Sequence, residues 1–229
     1  MKKRFIIERF NPKKDKKPYW QTYEVECEKD WTVLDALEAI RAQDPTLAYR
    51  RICRHGICGA CAMNINGSNH LACETRIVNF KNDIKIRPLP GFPIIRDLVV
   101  DLERFLKNYT YIKPYLITSS FPQREYFQSP KERQLLDGLY ECILCGSCTS
   151  ACATFWANKE FLGPAGFLQA CRFILDSRDE GLSLRKDMIK KSSIWQCHGI
   201  LNCVEACPKG LNPFKAIAHL RKIVLFGGK

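Results

Sequence analysis

The stretch YECILCGSCTSACATFW, residues 140–156, places cysteines at 142, 145, 148 and 152. A second stretch, WQCHGILNCVEACPKG, residues 195–210, repeats the spacing with Cys197, Cys203 and Cys207, followed by Pro208. At the position where the repeat calls for a fourth cysteine stands Ile200. Two short cysteine runs joined by helical sequence imply an all-α unit organised around what the thiols hold.

The run C-x2-C-x2-C-x3-C-P binds iron–sulfur clusters in pairs, with the last cysteine of each run serving the other cluster. That crossing gives Cys142, Cys145, Cys148 and Cys207 a complete 4Fe–4S site. It leaves Cys152, Cys197 and Cys203 with three thiolates. A cubane corner without a thiolate readily loses its iron, so a 3Fe–4S cluster is expected there. The alternative is a 4Fe–4S cluster with water or a foreign ligand at the Ile200 corner. One thiolate fewer shifts the expected reduction potential upward.

Upstream, CRHGICGAC at residues 53–61 and Cys73 in NHLAC follow C-x4-C-x2-C and a distant cysteine, the plant-type 2Fe–2S spacing. Gly56 and Gly59 let the loop fold tightly, so that backbone N–H groups can face the cluster sulfurs. Zinc prefers two paired knuckles, and here only Cys58 and Cys61 form one. Arg50, Arg51 and Arg54 crowd this loop, as cluster tuning groups, a docking patch or plain solvated charge. The three sites use eleven of the 13 cysteines. Cys27, on a strand, and Cys171, on a helix, remain as expected core residues.

Around these motifs the periodicity changes once. Residues 3–9 and 19–26 read as strands, 32–41 as a helix with Val33, Leu34, Leu37 and Ile40 on one face, and 84–87 as a strand. Asn66-Gly67 is a hairpin signal. Beyond the Pro-rich residues 88–93 the pattern is helical, over 96–109, 131–145, 165–178 and 212–226. The reading is α+β: a β-grasp 2Fe–2S ferredoxin domain at 1–95, then an all-α bacterial-ferredoxin-like domain at 96–229 with the 4Fe–4S and 3Fe–4S clusters. The net charge of +12 is dispersed and lacks nucleic-acid-recognition motifs. No apolar run approaches the roughly 20 residues of a membrane span. With no export signal, a bacterial cytoplasmic setting is expected.

Together CRHGICGAC, NGSNHLAC, DLVVDLERF, LYECILCGSC, FLGPAG, DSRD and QCHGILNCVEACPKGLNP closely resemble the iron–sulfur subunit of succinate dehydrogenase (respiratory complex II) and of the related fumarate reductase. The resemblance spans nearly the whole chain. It implies a wire that passes electrons from an FAD subunit oxidising succinate to fumarate through 2Fe–2S, 4Fe–4S and 3Fe–4S clusters to membrane quinone. It implies a membrane anchor, with haem b in many relatives, and a peripheral place on the cytoplasmic face of the inner membrane. The chain itself then carries no substrate acid or base. By the same resemblance the quinone side lies at Ala153, Thr154, Trp156, Ala157, His198 and Ile200. Packing for Trp156 and a surface or cluster-facing bond for His198 compete with that role. ACATFWA departs from the family's SCPSFWW or SCPSYWW, with Ala153 for the proline and Ala157 for a second tryptophan. Menaquinone, or a donor from the anchor, fits that change as well as ubiquinone does. The opposite flux, quinol–fumarate reduction, and a subunit of another flavin oxidoreductase are the rival readings.

Overall fold

A computed structural model describes residues 1–119 and 121–228. The chain divides into two compact units: Met1–Leu102 with Ile143–Ala151, and Glu103–Cys142 with Cys152–Lys229.

The first unit is a five-stranded β-grasp sheet. β1 (Lys2–Arg9) and β2 (Tyr19–Glu26) form an antiparallel pair. α1 (Val33–Gln43) follows, then the hairpin of β3 (Ala62–Ile65) and β4 (Ser68–Leu71), and β5 (Ile84–Arg87). The order is β2-β1-β5-β3-β4, with β5 parallel to β1. β5 alternates, burying Ile84 and Ile86 and exposing Lys85 and Arg87, as a sheet with one face on the core requires. α1 starts at a capping box: Thr32 Oγ1 accepts from Asp35 N–H, and the Asp35 carboxylate accepts from Thr32 N–H at 2.8 Å. Its face of Val33, Leu34, Leu37 and Ile40 is buried in the core, as expected. Asn66 and Gly67 both take positive φ (49° and 93°), the two-residue hairpin that Asn-Gly favours.

Helix was expected from residue 96. Instead β6 (Ile94–Arg96) and β7 (Val99–Val100) form a small ribbon. Asp97 turns between them at φ 46°, its carboxylate buried and accepting from Arg9 Nε (3.0 Å), Phe10 N–H (3.0 Å) and Ala48 N–H (2.9 Å). A buried carboxylate with three donors outweighs the helical pattern of its neighbours. Helix resumes only at α2 (Glu103–Tyr111).

Besides α2, the second unit holds α3 (Pro130–Gln134), α5 (Ala153–Ala157), α6 (Pro164–Leu175), α7 (Leu182–Lys191), α8 (Asn202–Glu205) and α9 (Pro213–Phe226); α4 (Ser147–Ser150) lies in the first. Helix was expected to run through 131–145. Regular helix ends with α3; single turns such as Leu136 N–H to Arg133 O and Leu139 N–H to Leu136 O follow, and left-handed Gly138 (φ 79°) and Leu144 (φ 53°) bar a continuous helix to residue 145. α6 is the centre, buried at every position from Pro164 to Cys171, and it packs on α2, α7 and α9. Arg185 is fully buried. It pairs with Asp179 and donates to the carbonyls of Ile112, Lys113 and Tyr115, the partners that a buried guanidinium needs. Cys27 and Cys171 are both core residues. Among the described residues no helix is long and apolar enough to cross a membrane.

Candidate metal centres

Residues 53–61 coil tightly because Arg54, Gly56 and Gly59 all have positive φ (64°, 73° and 70°). The coil turns amides onto sulfur. Ile57 and Cys58 N–H donate to Cys53 Sγ at 3.4 and 3.3 Å, Cys53 N–H to Cys58 Sγ at 3.5 Å, and Gly56 N–H to Cys73 Sγ at 3.3 Å. The four cysteines of the first set are therefore brought together. Backbone N–H groups of His55, Cys58 and Ile57 pull the Cys53 thiol down to about 6. Burial pushes Cys61 up to about 12, with Cys73 and Cys58 adding to the rise. Thiols that oppose one another's ionisation in this way fit bound iron, whose positive charge takes the thiolate form outright.

The loop's arginines are tethered within the unit. Arg51 and Arg54 both pair with Glu38 (2.5 and 3.2 Å), and Arg50 donates to Val100 O at 2.8 Å. Sequence reading did not single out Glu38; its place on the exposed side of α1 gives no such hint.

Gly59 has a second role. A Cβ on it would lie 2.8 Å from both Cα and Cβ of Cys145 and 3.0 Å from Ile143 O. The first cysteine loop thus packs backbone-to-backbone on Ile143–Ala151, which belongs to the same unit. Ile143 and Cys145 lean on its core, and Asn69 Nδ2 donates to Ser147 O at 3.0 Å. Cys148 is buried. Cys142 and Cys207, half-buried, belong to the second unit, where Leu211 N–H donates to Cys207 Sγ at 3.4 Å.

Cys152, Cys197 and Cys203 all lie in the second unit. Burial raises Cys152, and Cys197 contributes. Burial raises Cys203 to about 11, with further contributions from Cys152 and Cys197. The three are mutual neighbours. Among the described residues no three His, Cys, Asp or Glu side chains close on a point as they do around one ion. Thiolates around a multi-iron core stand apart by the width of that core.

The backbone around Ile200 matches the backbone around Cys145. Leu144 (φ 53°) and Gly146 (φ 81°) flank Cys145; Gly199 (φ 71°) and Leu201 (φ 70°) flank Ile200. Each run continues into a four-residue helix, α4 or α8, ending at Ala151 (φ −82°, ψ −1°) or Ala206 (φ −79°, ψ −3°). Ile200 occupies the place in its turn that Cys145 holds in the first, and is 60% exposed.

Of the residues expected beside a quinone, Trp156 is 51% exposed, and His198 and Ala157 are also exposed. Thr154 Oγ1 donates to Gln196 O at 3.3 Å. Two arginines hold these segments; sequence reading passed over Arg221 as solvated charge and gave Arg104 no role beyond its helical pattern. Arg221 Nη2 donates to the carbonyls of Ile194 (2.9 Å), Trp195 (3.2 Å) and Cys197 (2.7 Å). Arg104 donates to Phe155 O (2.8 Å) and Asn158 O (2.6 Å) and stacks 3.7 Å over the Phe155 ring.

Residues 4–107 match the 2Fe-2S iron-sulfur cluster binding domain family, and residues 138–211 match the 4Fe-4S dicluster domain family. The succinate dehydrogenase iron-sulfur subunit of Coxiella burnetii is 49% identical over 226 residues, 96% of each chain. That of Paracoccus denitrificans is 47% identical over 228 residues, 97% of this chain and 88% of the relative. Among solved structures, a chain of the Mycobacterium smegmatis Sdh1 complex in the apo form shares the fold. Its TM-score is 0.88 at 24% identity, covering 97% of this chain and 95% of that one. With near-half identity over almost the full length, and both cluster-domain families in the same order, the chain belongs to the family of succinate dehydrogenase iron–sulfur subunits.

Proposed function

We propose that this chain is the electron-transfer subunit of a succinate:quinone oxidoreductase. Cys53, Cys58, Cys61 and Cys73 would hold a 2Fe–2S cluster, Cys142, Cys145, Cys148 and Cys207 a 4Fe–4S cluster, and Cys152, Cys197 and Cys203 a 3Fe–4S cluster. When bound, these groups relay single electrons from an FAD subunit toward a membrane quinone. The protein's own part is positional. Backbone N–H groups on Cys53, Cys58 and Cys73 sulfurs stabilise negative charge on the first set. Burial of Cys61, Cys148 and Cys203 keeps water from the thiolates.

The observation that carries the reading is Gly59 against Cys145. The two cysteine loops approach so closely there that no side chain fits between them. Trp156, His198, Thr154 and Ile200 form the quinone side of the proposal. An indole N–H and an imidazole can donate to a quinone oxygen. An anchor subunit, with or without haem b, would hold the chain as a peripheral protein on the cytoplasmic face of the membrane. Iron and sulfide analysis with EPR of the purified complex tests the assignment. About nine irons per chain and three distinct centres are expected. Zinc in their place, or a single type of centre, would overturn it.

A further inference from the structure

Two carboxylates that the cysteine spacing does not call for lie against the first cysteine loop. Glu74 follows Cys73 directly. A Cβ on Gly56 would fall 2.0 Å from Glu74 Oε1 and 2.7 Å from Oε2, so the carboxylate fills the space that a side chain at residue 56 would take. Gly56 N–H in turn donates to Cys73 Sγ at 3.3 Å. With ordinary bond lengths between these atoms, the Glu74 carboxylate is no farther than about 8 Å from that sulfur. Glu38 reaches the loop from α1. Its carboxylate accepts from Tyr49 OH (2.5 Å), Arg51 Nε (2.5 Å) and Arg54 Nη2 (3.2 Å). Arg54 directly follows Cys53, one Cα step of about 3.8 Å.

The shape of the loop requires neither charge. Positive φ at Arg54, Gly56 and Gly59 makes the coil, and four cysteines complete the donor set. Glu74 is exposed and supports no core. A neutral amide oxygen at residue 38 would still accept two of the three donors. What the two residues add is negative charge. The loop amides act the other way: the N–H groups of Gly56, Ile57 and Cys58 face sulfur and favour added negative charge. Reduction of a centre held here adds one electron, hence one unit of negative charge. A carboxylate within about 8 Å opposes that step by direct repulsion.

We propose that Glu74 and Glu38 hold down the reduction potential of the 2Fe–2S centre, Glu74 more strongly because its carboxylate lies on the loop itself. The inference rests on the assignment of that centre to Cys53, Cys58, Cys61 and Cys73.

Redox titration of the intact complex, followed by the EPR signal of the reduced 2Fe–2S centre, tests it. Glu74→Gln should shift the one-electron equilibrium about fivefold toward the reduced centre, about 40 mV upward, and Glu38→Gln about twofold, about 20 mV. The double variant should show their product, about tenfold. Both substitutions keep the size and an acceptor oxygen and remove the charge. Both groups reach solvent, so the shifts should shrink by more than about half at 1 M salt, where the screening length is about 3 Å; a distorted coil would not respond to salt. An unchanged or lowered potential in Glu74→Gln, or shifts of equal size at low and high salt, would overturn the proposal. If Glu74→Gln does not load the centre, Glu38→Gln on α1 carries the same test. A wild-type complex with no 2Fe–2S signal would overturn the cluster assignment and this inference with it.

Discussion

In the run that starts at Cys142, the residue between left-handed Leu144 and Gly146 is a cysteine. In the run that starts at Cys197, the residue between left-handed Gly199 and Leu201 is isoleucine. Both runs hold the same turn, and both place a leucine where left-handed backbone costs of order 1 kcal/mol. The turn is therefore kept whether or not its central side chain can bind iron. What differs is the atom offered and the anchor. The first run is pinned by Gly59, by Asn69 and by Ser150 Oγ on Pro90 O at 2.7 Å. The second is held by the guanidinium of Arg221 on Ile194 O and Cys197 O and by Thr154 Oγ1 on Gln196 O. Backbone shape and ligand count are separately encoded, and each can be changed alone.

The largest expected effect comes from emptying the first turn. Cys145→Ala should lower bound iron by about four per chain and cut succinate–quinone activity by more than about 100-fold, since even an outer partner of a metal ligand is worth 10–100-fold. Ile200→Ala should leave the iron content unchanged. If both variants lost iron alike, the two turns would not differ as described.

Next is filling the second turn. Ile200→Cys should convert the proposed 3Fe–4S cluster, at least partly, to 4Fe–4S and lower its potential through the added negative charge. Quinone reduction should then slow, while succinate oxidation with an artificial acceptor survives. EPR of the air-oxidised protein decides it. An undiminished oxidised 3Fe–4S signal would mean that the missing thiolate does not set the cluster type.

The anchors can be exchanged as a smaller test. Arg221→Gln should weaken retention of the centre at Cys152, Cys197 and Cys203 by about 10–100-fold, and Asn69→Ala that at Cys142, Cys145 and Cys148 by about tenfold. Cluster loss against chelator concentration, followed by EPR, would show whether each anchor serves its own run. Equal loss at both centres in either variant would show that it does not.

The smallest effects concern glycine. Gly59→Ala meets both a left-handed φ and Cys145 at 2.8 Å. Its cost should be about 2–4 kcal/mol, the sum of φ strain and overpacking. Gly138→Ala, with open space around it, should cost only about 1 kcal/mol. Thermal midpoints of the two variants measure the difference, and equal shifts would deny the close approach at Gly59.

Much of the site was legible in the sequence because its signals are local. Asn66-Gly67 needs only its own φ preference, and the four-residue face of α1 needs only helical periodicity. Each cysteine run carries its turn in eleven residues. What escaped depends on distant partners. Residues 96–102 have a helical pattern, yet Asp97 answers to Arg9, 88 residues away. Arg221 looked like solvated charge, because nothing near it announces the carbonyls of Ile194, Trp195 and Cys197. α7 buries only Arg185 and Ile189, too narrow an apolar stripe to stand out. The return of Ile143–Ala151 to the first unit also leaves no local trace. It rests on a missing Cβ at Gly59, on the packing of Ile143 and Cys145, on one amide from Asn69 and on Ser150 Oγ at Pro90 O.

That return has a consequence for synthesis on the ribosome. The sheet and α1 are complete once Leu102 has been made, but the segment that covers part of their core lies about forty residues later. At about 5–20 residues per second, the nascent first unit waits roughly two to eight seconds with the bed of Ile143 and Cys145 bare. A chain released anywhere between Leu102 and Ile143 keeps that apolar bed permanently, beside four thiols. Truncated products of this length should be held by chaperones or degraded, whereas chains that reach Ala151 can close the first unit before the rest of the second exists.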